Sequence, residues 1–401
     1  PVQRNLSEAI RVANELFPDV TFVHSSFDDY IHAVESALPE QLSTVTGELT
    51  SQETDGWYTL ANTSSSRIYL KQAFQENSNL LEQVVEPLTI LTGGHNHKDQ
   101  LTYAWKVLLQ NAPHDSICGC SIDEVHREME VRFAKVNQVG NFVKSNLLDE
   151  WKGKLATQNA ESDYLFTVIN TSLHDKVDTV STVLDVVTCE FKELHPTEGY
   201  KKMAALTLPT YHVKDLDGRV VEAKSEDLGA NFEYDLPKDK FRQPRIARQV
   251  RVTLPVHLAA LSWASFQLVE GEGEGHDGIY QNGVIDTPFV TVSVDEGITV
   301  YDKTTNEAYE DFIQFEDRGD IGNEYIYFQP KGTDPIYAQL KGYDVLENNA
   351  RYAKVLLKHD LTIPVSADEK LDAEQRGIIE FMKRDAGRSE ELTTIPLETE
   401  M

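Results

Sequence analysis

Apolar residues recur every three to four positions through most of the first 160 residues and every second position after that, so a helical part precedes a β part. Residues 1–38 read as helix, strand, helix. Leu6, Ile10 and Ala13 have helical spacing, residues 20–26 (VTFVHSS) form a short apolar run of strand type, and residues 27–38 are amphipathic again. That αβα unit predicts the tail of an α/β domain whose earlier strands are missing. Residues 39–65 are polar, with TGELTSQETDGW reading as loop.

Three long helical patterns follow. Over 66–91, Tyr69, Ala73, Leu80, Val84 and Leu88 form a stripe that ends at Gly93-Gly94. Over 98–111, Leu101, Trp105 and Leu108 do the same, and the pattern stops before Pro113. The third runs from Ser121 to about Thr157, with Ser121 and Glu124 as a capping box and Ile122, Val125, Met129, Phe133, Val136, Val143, Leu147 and Trp151 on one face. Short connections predict an antiparallel three-helix bundle.

After residue 160 come YLFTVIN, DTVSTVLDVV, RVTLPVHL, SWASFQLVE, FVTVSV, GITVYD and YIYFQP, each a β-rich run bounded by Asp, Gly or Pro. GEGEGHDG at 271–278 divides this region in two. Its glycines do not make a phosphate loop, because Glu272 and Glu274 would repel phosphate and no helix pattern follows. The expected fold class is multidomain α+β. The expected divisions are 1–38, the end of an α/β domain; 39–160, loop and bundle; 161–270, a β-sandwich; and 271–401, the start of a larger β-sandwich.

Composition narrows the function. The chain has 401 residues, 37 Lys+Arg against 66 Asp+Glu, and a net charge of −29. A general nucleic-acid binder or an anionic-membrane binder needs a basic face, which is absent here. Three cysteines (Cys118, Cys120, Cys189) cannot make a disulfide framework, which favours a reducing, cytoplasmic compartment. No apolar run reaches membrane-spanning length. The chain starts on Pro1 and ends on ETEM, and both ends read as cut, so a fragment of a longer protein is expected.

Residues 111–126 (NAPHDSICGCSIDEVH) stand apart, because a helical hairpin needs only a few turn residues. Three readings compete. His114, Cys118, Cys120 and His126 could form a zinc knuckle, although C-x-C strains tetrahedral geometry. The cysteines could simply be buried in a tight turn, with His114 bonded to backbone and His126 solvated. Or His114 and Asp115 could face a cleft, the imidazole on a metal and the carboxylate on a sugar hydroxyl.

PHDSICGCSIDEVH resembles the helical-bundle signature of glycoside hydrolase family 38, the α-mannosidases, especially the bacterial, mannosylglycerate hydrolase-like branch. SSFDDYIHAV resembles the end of that family's catalytic α/β barrel, and SSSRIYLKQAFQENSNLLEQVVEPL its first bundle helix. GITVYDKTTNEAY and DRGDIGNEYIYFQP resemble the start of its large β-sandwich. The resemblance implies a retaining, zinc-dependent hydrolase of α-mannosides, and a homo-oligomer of the kind family members often form. His114 is then one of four zinc ligands. Asp115 contacts the sugar, and Tyr325, in the Asn-Glu-Tyr-Ile-Tyr run, reaches the sugar from the β part, with Tyr327 as the alternative on the same strand face. The family's His-x-Asp zinc pair, nucleophilic Asp and general acid lie in its barrel. No His-x-Asp zinc pair is expected ahead of residue 114, and only about 38 barrel-like residues occur here, so no catalytic carboxylate is assigned and the chain alone is expected to be inactive. The rival from another class is a non-catalytic carbohydrate-binding or scaffolding module.

Other polar residues read more plainly. Asp317, Asp320 and Glu324 suggest an acidic turn, His95 and His97 a helix-end loop, Asp28 and Asp29 helix capping, and Arg67 an ion pair or a carboxylate clamp.

Overall fold

A computed structural model describes residues 3–44, 60–93, 97–155, 161–237, 239–272, 278–295, 297–327, 329–330, 333–349, 352–375, 377 and 387–401. The chain forms two compact units, Pro1–Trp57 and Tyr58–Met401. Among the described residues no helix is long and apolar enough to cross a membrane.

The first unit contains α1 (Leu6–Leu16) and α2 (Phe27–Ser36). Ser26 Oγ accepts from the Asp29 amide at 3.1 Å and donates to the Asp29 carboxylate at 2.8 Å, so Asp29 serves the helix start. Residues 20–26 form no strand, which corrects the sequence expectation. The Asn14 side chain substitutes for a partner strand: it accepts from the Phe22 amide at 2.8 Å and donates to the Phe22 carbonyl at 2.9 Å.

In the second unit α3 (Ile68–Asn79) passes through a π-helical turn, Leu80–Val85, into α4 (Glu86–Leu91) as one rod. Pro87 has no amide hydrogen for the normal helical ladder, and the wider turn accommodates that loss. α5 (Lys98–Leu109), the single turn α6 (His114–Ile117) and α7 (Asp123–Lys152) follow. Arg67 at the head of α3 meets Asp123 at the head of α7, and Lys154 beyond α7 reaches the Thr92 carbonyl beyond α4. The outer two rods therefore run the same way. α5 returns between them, with Trp105 on Glu86 at 2.7 Å and Asn111 on Met129 at 3.0 Å. Leu70, Leu81, Leu108, Met129 and Val136 are fully buried between them, each stabilising the fold by about 2 kcal/mol. Gly140 lets α7 approach the π turn, since a Cβ there would lie 2.7 Å from Leu80 Cδ2. The expected capping box does not form: Ile122 occupies the N-cap, and Ser121 Oγ bonds the Asp115 carbonyl instead.

The β part contains β1 (Leu165–Asn170), β2 (Lys176–Glu190), α8 (Pro196–Ala204), β3 (Tyr211–Asp215), β4 (Val220–Val221), β5 (Lys224–Asp235), β6 (Gln243–Leu258) and β7 (Ser262–Glu270). One sheet has the order β1-β7-β3-β4 and the other β2-β6-β5. Val250, Val252, Leu254, Val256 and Leu258 alternate along β6 into a core shared with Val213, Phe266 and Leu268 of the first sheet. β5 (KSEDLGANFEYD) was not legible as a strand; its pairing with β6 overrides a charged sequence.

Farther on, β8 (Tyr280–Gln281), β9 (Val284–Asp286), β10 (Val290–Ser293), β11 (Thr299–Asp302) and β12 (Glu307–Tyr309) form a meander. β13 (Glu316–Asp317) pairs with β14 (Ile336–Tyr337), and β15 (Gln339–Asn348), β16 (Ala353–Pro364) and β17 (Leu392–Glu400) form a three-stranded sheet; the short helix α9 (Glu369–Gln375) lies between the last two. Ile285, Val294, Ile298, Val355 and Leu357 make the core of this region. The YIYFQP segment forms no strand among its described residues, so Tyr325 and Tyr327 do not share a strand face. Asn323 Oδ1 takes the Tyr325 and Ile326 amides at 2.9 and 3.0 Å, turning the backbone where a ladder would need it straight. Most of the Gly-rich division at 271–278 lies outside the described residues.

Candidate functional site

The turn between α5 and α7 is fixed from its core outward. Asn111 is buried, donating to the Met129 carbonyl at 3.0 Å and accepting from Arg132 at 3.3 Å. Pro113, in extended conformation, starts α6, and the Ser116 and Ile117 amides return to its carbonyl. Gly119 follows with φ +76°, a conformation that favours glycine. Its carbonyl accepts from Ser66 Oγ at 3.1 Å and from the Arg67 guanidinium, whose other nitrogen bonds Asp123 at 2.9 Å. Arg67 is thus an ion-pair and backbone anchor. Lys71 donates to the Ser66 carbonyl at 2.6 Å, and burial holds its ammonium below the ordinary lysine range.

This frame presents His114 and Asp115 to solvent. The His114 side chain is 90% exposed, with Nε2 3.5 Å from Asp115 Oδ1. The Asp115 carbonyl accepts from Ser121 at 3.0 Å and from the Cys120 thiol at 3.6 Å, and Cys120 Sγ lies 3.8 Å from Asp115 Oδ1. Tyr325 meets the same thiol. Its hydrogen bond with Cys120, then the charge of Cys120, burial and the Asp115 and Glu324 carboxylates push the Tyr325 phenol up to about 12. Asp115 and Tyr325, assigned separately from the sequence, converge on Cys120. Tyr327 answers to other neighbours, its phenol raised by burial first and by Asp320 next.

The loop carrying Tyr325 is tied to the start of the helical part. Asn62 Nδ2 donates to Asp320 Oδ2 at 2.7 Å and to the Asn323 carbonyl at 2.6 Å. Nothing in the local sequence signals this contact.

The zinc-knuckle geometry is absent. His126 is 3% exposed on the inner face of α7, its ring nitrogens unpartnered, while His114 faces solvent. Among the described residues no three His, Cys, Asp or Glu side chains are grouped to hold a metal. The tight-turn alternative needs correction too, since His126 is buried rather than solvated and Cys118 and Cys120 are only half-buried. Burial holds the His126 imidazole below its ordinary value, with the Arg67 charge as the next cause. All three cysteines are free. As a donor, exposed His114 fits one ligand of a metal set, with Asp115 beside it; the grouped residues do not complete one.

Two of the acidic residues ahead of Tyr325 are engaged. Asp317 pairs with Arg388, and Asp320 bonds Asn62 and the Gly322 amide. His95 lies outside the described residues; His97 stands at the N-cap of α5. His97-Lys98-Asp99 does have the His-x-Asp spacing ahead of residue 114, which corrects the expectation that none occurs there; it stands at the start of α5, the opposite end from His114.

Residues 59–149 match the α-mannosidase middle domain, and residues 161–270 match glycosyl hydrolases family 38 C-terminal domain 1. His114 and Asp115 lie inside the first match; Tyr325 lies outside both. A putative mannosylglycerate hydrolase of Halalkalibacterium halodurans is 35% identical over 417 residues, covering 100% of this chain and 46% of that protein. The crystal structure of an alpha-mannosidase from Enterococcus faecalis V583 superimposes with a TM-score of 0.79 at 41% identity, covering 100% of this chain and 47% of that one. A second Enterococcus faecalis protein, in glycosyl hydrolase family 38, gives 0.77 at 36% identity over 100% and 47% of the two chains. The chain spans about half the length of these relatives. Carrying both the middle domain and the first C-terminal domain, the chain belongs to glycoside hydrolase family 38.

Proposed function

We propose that this chain supplies one wall of the sugar site of a zinc-dependent retaining α-mannosidase. The observation that carries the reading is the convergence of Asp115 and Tyr325 on Cys120 beside exposed His114. His114 offers an imidazole nitrogen to the zinc ion. Asp115 accepts a hydrogen bond from a sugar hydroxyl, a charge-assisted contact. Tyr325 stays protonated at neutral pH, so its hydroxyl can donate to the sugar or accept from it. When bound, zinc would supply electrophilic binding of sugar hydroxyls. Retaining hydrolysis also needs a carboxylate nucleophile and a carboxyl acid, assigned here to the part of the longer relatives that this chain does not span. The chain by itself is therefore inactive. The substrate class is an α-mannoside, either an oligosaccharide or mannosylglycerate, and the proposed setting is cytoplasmic and homo-oligomeric.

The test is zinc content by elemental analysis together with p-nitrophenyl α-mannoside turnover, on this chain and on the full-length protein. Zinc and turnover in the full-length protein, both lost in His114→Ala, are expected. Stoichiometric zinc in this chain that depends on Cys118 and Cys120 would contradict the reading. Neither zinc nor turnover in the full-length protein would favour a carbohydrate-binding or scaffolding module.

A further inference from the structure

Tyr325 sits on a segment without regular pairing, since residues 318–327 form no strand. Side-chain contacts must therefore fix where its hydroxyl lies. The longest-range of these comes from Asn62, in the 3-10 turn Ala61–Ser64 ahead of α3. Its amide places both donor contacts on the Tyr325 loop, one on the Asp320 carboxylate and one on the Asn323 carbonyl. The Asn323 side chain in turn takes the Tyr325 and Ile326 amides. The Asn62 carbonyl accepts from the Ser66 amide at 2.8 Å, and Ser66 with Arg67 holds the Gly119 carbonyl. Residues 62–67 thus grip the Tyr325 loop at one end and the turn carrying His114 and Asp115 at the other.

We infer that Asn62 is a positioning residue that holds the Tyr325 loop in register with His114 and Asp115. The inference rests on the reading of Asp115 and Tyr325 as sugar contacts. It uses Asn specifically: a neutral amide donates to both partners, whereas a carboxylate at the same place would face Asp320 and repel it.

Two measurements on the full-length protein test it. The first is the rate of iodoacetamide labelling of Cys120 in a Cys118→Ser background, read by mass spectrometry of the peptide that carries Cys120. Asn62→Ala should label about fivefold faster, the effect of about one lost hydrogen bond, as Tyr325→Ala should. Asn62→Asp should label at least as fast. An unchanged rate in both Asn62 variants would overturn the inference whatever the substrate. The second is the KM for p-nitrophenyl α-mannoside in Asn62→Ala, Tyr325→Phe and the double variant. If Asn62 acts through Tyr325, each single change raises KM and the double variant is no worse than Tyr325→Phe. Fully additive effects would overturn it. Faster labelling with KM unchanged in Tyr325→Phe would overturn the sugar-contact reading alone and leave the anchoring role standing.

Discussion

A Cβ added to Gly119 would lie 2.7 Å from the Ser66 carbonyl oxygen. The two backbones meet so closely that no side chain fits, and the φ of +76° disfavours one independently. Gly119→Ala is therefore expected to lower stability by about 2 kcal/mol or more. Because His114 and Asp115 stand on the same turn, the mannoside turnover proposed for the full-length protein should fall with it. Urea unfolding and turnover, measured on the same preparation, check both halves.

Arg67 is the second cause, after burial, that depresses the His126 imidazole. Replacing it by Ala should move the His126 titration toward the ordinary value. The midpoint should stay below that value, because burial remains. NMR titration of the His126 ring protons in Arg67→Ala decides it; no movement would mean that the Arg67 charge does not contribute.

His126 also makes stability depend on pH. Its folded value is lowered, so the unfolded chain takes up a proton as pH falls through about 6.5 while the folded chain does not. Stability should be flat above that point. Below it, stability should fall by up to about 1.4 kcal/mol per pH unit until the folded imidazole protonates. His126→Leu should flatten the decline in urea midpoints between pH 7 and 5. Buried His359, also lowered, leaves a residual slope in the wild type and the variant alike.

Asp115 is mostly exposed and supports no core. In the full-length protein Asp115→Asn should therefore leave the melting temperature within about a degree while reducing kcat/KM for α-mannosides by about 10- to 100-fold, the loss of the charge-assisted contact proposed for it. A matched fall in stability would point to a role in holding the turn instead.

Tyr103 and Tyr69 illustrate what local pattern can and cannot deliver. Both lie on predicted helices and both are about half exposed, because a 3.6-residue repeat identifies a helix more securely than it identifies which borderline residue faces inward. Leu101, Trp105 and Leu108 on α5, and Met129, Phe133, Val136, Val143 and Leu147 on α7, were read correctly as the packed stripe. The strand expected at residues 20–26 failed because a strand needs a partner, and Asn14 supplied the bonds instead. Ser121 was read as a cap from its spacing to Glu124, but the Asp115 carbonyl competed for its hydroxyl. His114 and Asp115 stood out as one of three readings open from the residues of the turn, and the resemblance chose among them; Tyr325 was singled out through resemblance alone. Asn62 was not legible at all, since an Asn in a polar segment reads as a turn.

The sequence alone determined the order of helical and β parts, the bundle stripes, the acidic surface charge and the unusual density of polar groups between α5 and α7, because these depend on residues near one another in the chain. Tertiary structure decided that Tyr325 meets Cys120 beside Asp115, that Asn62 grips the Tyr325 loop and that His126 is sealed inside. Those contacts join segments far apart in sequence, and their geometry follows from how α3, α7 and the loop at 318–327 pack rather than from any local spacing.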